Sequence, residues 1–131
     1  MKRIWNQFKL TMTTYDVELV EMMSGVTALV WGIWLLNPYF DTFYDVQIHH
    51  AFALIASEEI WGTVMLALGL LQVEAVISHR LSMRKIWALV MSTFWLMITA
   101  LVYLSEPRAI SSIPYGIFAC FMIWSYLRLS Q

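Results

Sequence analysis

The chain has 131 residues, 60% of them apolar and only 13% charged, against about 45–50% apolar and about 25% charged in an average soluble domain. That balance excludes an ordinary water-solvated surface. It also comes with one cysteine, Cys120, so a disulfide framework or thiolate metal cage is excluded. The eight Lys and Arg are scattered and the formal net charge is −1, which leaves no basic patch for nucleic acid.

The first sixteen residues place Trp5, Phe8, Met12 and Tyr15 on one helical stripe, with Lys2, Arg3, Gln7 and Lys9 elsewhere. This pattern predicts an amphipathic helix lying in the membrane interface. The apolar run that follows is too long for a signal peptide and has no small-x-small cleavage site after it, so it is expected to be retained. Four runs approach the roughly 20 residues needed to cross about 30 Å of hydrocarbon: residues 17–37, 51–77, 86–105 and 113–127. Asp16 is placed to cap the first, and Asn37-Pro38 ends it, because the proline ring cannot continue a helix. Pro107 closes the third, and Ser112 with Pro114 just inside suits the start of the fourth.

The expected fold is all-α: one polytopic membrane domain over residues 1–131, an antiparallel bundle of four transmembrane helices with an N-terminal interfacial helix. The connectors, 38–50, 78–85 and 106–112, are too short to hold a soluble domain. Lys2, Arg3, Lys9, Arg80, Arg84, Lys85 and Arg128 fall on one side of such a bundle and Arg108 alone on the other. The positive-inside rule then puts both termini in the cytoplasm. Trp5, Trp87, Trp124 and Tyr126 fall near the inner boundary, and Trp34, Tyr39, Phe40, Phe43, Tyr44, Tyr103 and Tyr115 near the outer one, the depth that amphipathic rings prefer. Trp61 and Trp95 sit deeper and are expected to pack between helices, as is Cys120 within the fourth.

The costly residues are the acids. Glu58 and Glu59 lie about 10 Å along the second span at 1.5 Å per residue, the deepest of the set. Glu74 lies near the cytoplasmic end of that span beside Gln72, and Glu18 and Glu21 lie in the first turns of the first span. A structural reading leaves Glu58 or Glu59 protonated or paired with Arg108, and pairs Glu18, Glu21 and Glu74 with Arg80, Arg84, Arg128 or interfacial water. A functional reading makes Glu58 a proton- or cation-binding group in a polar seam. Glu21, Gly25 and Gly32 share the spacing of Glu58, Gly62 and Gly69, and each set falls within about 40° on a helix. The glycines let two backbones approach closely, so these stripes could face each other in an antiparallel hairpin.

The neighbours His49 and His50 point about 100° apart on a helix and make no bidentate metal pair; no metal or cofactor is expected. Phosphate loop, nucleophile elbow, paired-cysteine motif and spaced histidine pair are all missing, so no enzyme is expected.

Glu58-Glu59-Ile60-Trp61-Gly62 with Leu68-Gly69-Leu70-Leu71-Gln72, Trp31-Gly32-Ile33-Trp34-Leu35-Leu36 and the closing Trp124-Ser125-Tyr126-Leu127-Arg128-Leu129 resemble small four-span membrane proteins of tailed bacteriophages. The resemblance implies a bacterial inner-membrane location and a phage-related role, and it carries over no catalytic residue. Two classes of function follow. One is a non-enzymatic membrane protein that assembles with itself or another membrane protein, in lysis, in exclusion of a second phage or in the virion. The other is a small oligomeric channel or proton- or cation-coupled carrier that uses an intramembrane glutamate.

Overall fold

A computed structural model describes residues 2–39, 42–45, 50–108 and 110–131, with the side chains of all these except 2–15, 44 and 45. The described residues are helical and carry no strand. The elements are α1 (Lys2–Leu35), α2 (Thr42–Asp45), α3 (His50–Ile55), α4 (Glu58–Ile77), α5 (Leu81–Ser105) and α6 (Ser112–Leu129). Three stretches are long and apolar enough to cross a membrane: Asp16–Leu35 of α1, Glu58–Ile77 and Leu81–Ser105. The 18 residues of α6, about 27 Å at 1.5 Å per residue, pack on α5.

Three boundaries differ from the sequence expectation. α1 runs unbroken through Asp16, so that residue caps nothing and the N-terminal segment is not a separate helix. The stretch 2–23 contains no Gly or Pro to stop it. The stripe of Trp5, Phe8, Met12 and Tyr15 lies outside the described side chains, as do Phe40, Tyr44 and His49. The second apolar run is broken at Ala56–Ser57 into α3 and α4. Ser57 is extended at φ −67°, ψ 158°, and Glu58 and Glu59 form the first turn of α4, where the helix dipole favours negative charge. Finally, α5 begins at Leu81, so the connector shrinks to Ser78–Arg80 and brings Arg84 inside the helix.

α1 and α4 make the closest pair, and glycines set the distance. A Cβ on Gly32 would stand 2.7 Å from the Leu66 amide nitrogen, and one on Gly69 would stand 2.7 Å from the Gly25 carbonyl oxygen. Gly62 faces Leu35, Leu36 and the Gly32 carbonyl, and Gly25 faces Gln72 and Val73. Rising numbers in α1 meet falling ones in α4, so the pair is antiparallel. Wholly buried alanines, Ala28, Ala88 and Ala119, allow the other helices to close in similarly. At the centre Trp95 is fully buried, stacked on Tyr115 at 5.9 Å and on Phe118 at 5.3 Å. Its indole N–H donates to Ser24 Oγ at 2.8 Å, which ties α5 to α1.

The short helices fill the far end. Phe52 of α3 lies 5.6 Å from Phe43 of α2 and 5.2 Å from Trp61 of α4. The Trp61 indole donates to the Phe52 carbonyl at 3.1 Å, and the Ala51 amide donates to Ser105 Oγ at 2.8 Å.

Gly32→Ala should destabilise the protein by about 1–3 kcal/mol, because a methyl there overlaps backbone that cannot move aside as a side chain would. Gly116→Ala is the control: its Cβ would meet only Thr99, at 3.6 Å, and helix propensity should make it stabilising by about 0.5–1 kcal/mol. Unfolding midpoints of both variants in the same detergent check this.

Candidate functional site

Positions 18 and 21 of α1 are three residues apart and share a face. The three-residue turn Ser78–Arg80 returns the chain so that the first turns of α5 stand against that face. Arg84 Nη2 lies 2.7 Å from Glu21 Oε2, and its Nε donates to the same oxygen at 2.8 Å. Its Nη1 donates to Glu18 Oε1 at 3.0 Å. Burial is graded: the side chain of Glu21 is fully buried, that of Arg84 is 7% exposed and that of Glu18 is 22% exposed. His79 extends the series to the surface, with Nδ1 3.5 Å from Glu18 Oε1 and its side chain 71% exposed. It closes α4 at φ 53°, the left-handed position that glycine usually fills.

The cluster is electrostatically determined. A guanidinium in the first turns of a helix opposes the helix dipole, and an unpaired ion inside a bundle is severely penalised. The two carboxyl groups of Glu18 and Glu21 offset both effects. Polar residues continue around it. Gln72 is fully buried on α4, with its Cγ 3.2 Å from the place a Gly25 Cβ would occupy, one turn along α1 from Glu21. Both polar atoms of Gln72, together with Glu21 Oε1 and Ser125 Oγ, are buried without a hydrogen-bond partner. Each such atom costs about 1–3 kcal/mol, and ordered water is the usual remedy. With Ser24, wholly buried too, these groups gather in the half of the bundle where the apolar stretch of α1 begins.

The layer around Trp95 is largely apolar. A cavity of about 10 Å³ lies between Trp31, Met65, Trp95, Ile98 and Tyr115, at the lower limit for one water molecule and with too few polar partners to hold it.

The residues singled out from the sequence fall in different places. Glu58 and Glu59 are the first two residues of the apolar stretch Glu58–Ile77, at the head of α4 rather than about 10 Å along a span. Glu58 Oε1 accepts the Thr42 amide at 2.9 Å, so its partner is a backbone N–H rather than Arg108. Both acids line an open pocket of about 390 Å³ with Asn37, Pro38 and Ser57. Arg108 is exposed, its amide 3.4 Å from Glu106 Oε1. Glu74 is exposed and makes no ion pair among the described residues, and Arg128 lies over Trp124 instead. Cys120 is exposed, not packed inside, because α6 turns Ala119, Met122 and Ser125 inward. Gly25, Gly32, Gly62 and Gly69 are brought together, at the α1–α4 contact. No known protein family, characterised protein or solved structure matches the chain.

Arg84→Met should cost about 3–5 kcal/mol, since it strands Glu21 as an unpaired buried charge. Adding Glu18→Gln and Glu21→Gln should recover part of that loss, so the triple variant unfolds at higher denaturant than Arg84→Met alone. SDS titration in mixed micelles, followed by helical circular dichroism, measures the difference; equal losses would mean that the three groups do not act as one unit.

Proposed function

We propose that this protein is a non-enzymatic, four-span integral membrane protein of the bacterial inner membrane, both termini cytoplasmic, that acts by assembling with further copies or with another membrane protein. In this reading α6 is the fourth span of an antiparallel bundle, with Ser112 and Arg128 at the two interfaces. The phage-related settings are lysis, exclusion of a second phage, or the virion membrane.

One observation carries it: the outer faces of the helices present large apolar side chains, while the polar and glycine contacts are made within the chain. Arg84 bonds Glu18 and one carboxylate oxygen of Glu21, and the glycine stripes of α1 and α4 pack on each other. The surface is left to large apolar side chains, among them Leu19, Ile33, Leu70, Leu104 and Ile117, each roughly half exposed or more. Such faces meet lipid or neighbouring helices, which favours assembly over chemistry.

A second reading is supported by Glu21, which is wholly buried and has one carboxylate oxygen unpartnered. A proton- or cation-coupled carrier would use that group and not Glu58, which stands at a helix end.

Inducible expression in bacteria, chemical cross-linking of the membrane fraction and proton-flux assays on reconstituted vesicles separate the two. Assembly predicts discrete cross-linked oligomers and flux no greater than in empty vesicles. The carrier reading predicts flux that Glu21→Gln abolishes and Glu58→Gln preserves. Abrupt killing would assign the assembly to lysis, resistance to infection to exclusion, and recovery from purified particles to the virion.

A further inference from the structure

A groove between α1 and α6 belongs neither to the charge cluster nor to the glycine contact. It measures about 520 Å³ and is lined by Asp16, Leu19, Val20, Cys120, Phe121 and Trp124. Asp16 is the one charged residue among its lining, and Arg128 stands beside the groove over the lining residue Trp124. Asp16 opens the apolar stretch of α1 and is exposed. Arg128, in the last turn of α6, holds its guanidinium carbon 5.6 Å from the centre of the Trp124 ring. Further along, Leu19 and Phe121 are 59% and 47% exposed. A carboxylate and a guanidinium at the membrane boundary, with an apolar trough leading into the hydrocarbon, match the polarity of one phospholipid standing in that leaflet.

We infer that this groove binds an aminophospholipid of the phosphatidylethanolamine type, its acyl chain along Leu19, Cys120 and Phe121, its phosphate at Arg128 and its ammonium at Asp16. Guanidinium meets phosphate through two parallel N–H donors. Asp16 supplies the choice of headgroup. An ethanolamine ammonium donates hydrogen bonds to a carboxylate, a choline nitrogen has no N–H to donate, and a glycerol headgroup carries no cation. A second copy of the chain fits less well, since it would have to cover Asp16 and Arg128 and strip them of water. The inference needs α1 and α6 side by side in a bilayer, and neither the assembly nor the carrier reading.

Cys120 reports on occupancy, being exposed and the sole thiol of the chain. The full-length protein, in lipid-free detergent, is alkylated with a maleimide alone and with dioleoyl phosphatidylethanolamine, phosphatidylcholine or phosphatidylglycerol at equal mole fraction. Phosphatidylethanolamine should slow alkylation about tenfold more than phosphatidylcholine does, the ratio expected of one charge-assisted hydrogen bond. Asp16→Asn should erase that preference, and Leu19→Trp, which fills the groove, should slow alkylation without lipid. Equal protection by all three lipids would overturn the site, as would a preference that survives Asp16→Asn or an unchanged rate in Leu19→Trp. Lipid-free protection that rises with protein concentration would instead put a second copy in the groove. The lipid comparison on the unaltered chain needs no variant to fold.

Discussion

Arg84 reaches α1 because α5 starts three residues after α4 ends, and the reach has consequences for every helix. Its fork takes Glu21 with two nitrogens and Glu18 with the third. A side chain held by hydrogen bonds from Nε and Nη1, with Nη2 in ion-pair contact, leaves little freedom to the backbones that carry it. α5 is thereby registered against α1, and Trp95, eleven residues further on, arrives opposite Ser24. The Trp95 ring then becomes the surface on which Tyr115 and Phe118 of α6 stack. Ion pair, indole hydrogen bond and ring stack thus form one chain of dependence running from α1 through α5 to α6.

The glycine contact works differently. Between apolar helices in a bilayer there is no hydrophobic drive to associate, so attraction comes from packing at short range. Gly32 and Gly69 let the backbones of α1 and α4 approach closely enough that added methyl groups would meet peptide atoms. Two devices therefore divide the work. Close packing fastens α1 to α4, while charge and hydrogen bonding fasten α1 to α5. Gln72 sits where the two meet, pressed against Gly25 and without a polar partner. Its position explains how a polar side chain can be wholly buried there: the space is created by a glycine, and the neighbouring polar groups belong to the cluster.

Much of the helix plan was legible in the sequence, because the apolar runs and the prolines that end them are local signals. Leu35 ends α1 just before Asn37-Pro38, and Pro107 follows the close of α5, as the ring geometry requires. The placing of the acids was not legible. Glu58 and Glu59 interrupt a long apolar run, and composition alone reads that as acids inside a span. The chain instead breaks at Ser57 and puts them at a helix head, where the dipole helps them. Arg84 misled in the opposite sense. In a run with Arg80 and Lys85 it looks like part of a basic rim, and the turn that rotates it inward depends on where α5 begins. Its pairing with Glu18 or Glu21 was among the open alternatives; its near-complete burial was not visible. Gln72 and Ser24 gave no signal beyond being polar in apolar surroundings.

The distribution of polarity along the bundle bears on transport. Glu21, Gln72, Ser24 and Ser125 lie in one half, and Glu18 and His79 lead from that half to the surface by graded exposure. The other half is closed by Trp31, Met65, Trp95 and Tyr115 around a space no larger than a water molecule. Among the described residues, the polar groups that begin at His79 and Glu18 reach inward as far as Glu21, Ser24 and Gln72. A conducting path would have to run between copies, along faces that the glycine stripes no longer serve because α1 and α4 have consumed them. Those remaining faces are the large apolar ones, which exclude ions.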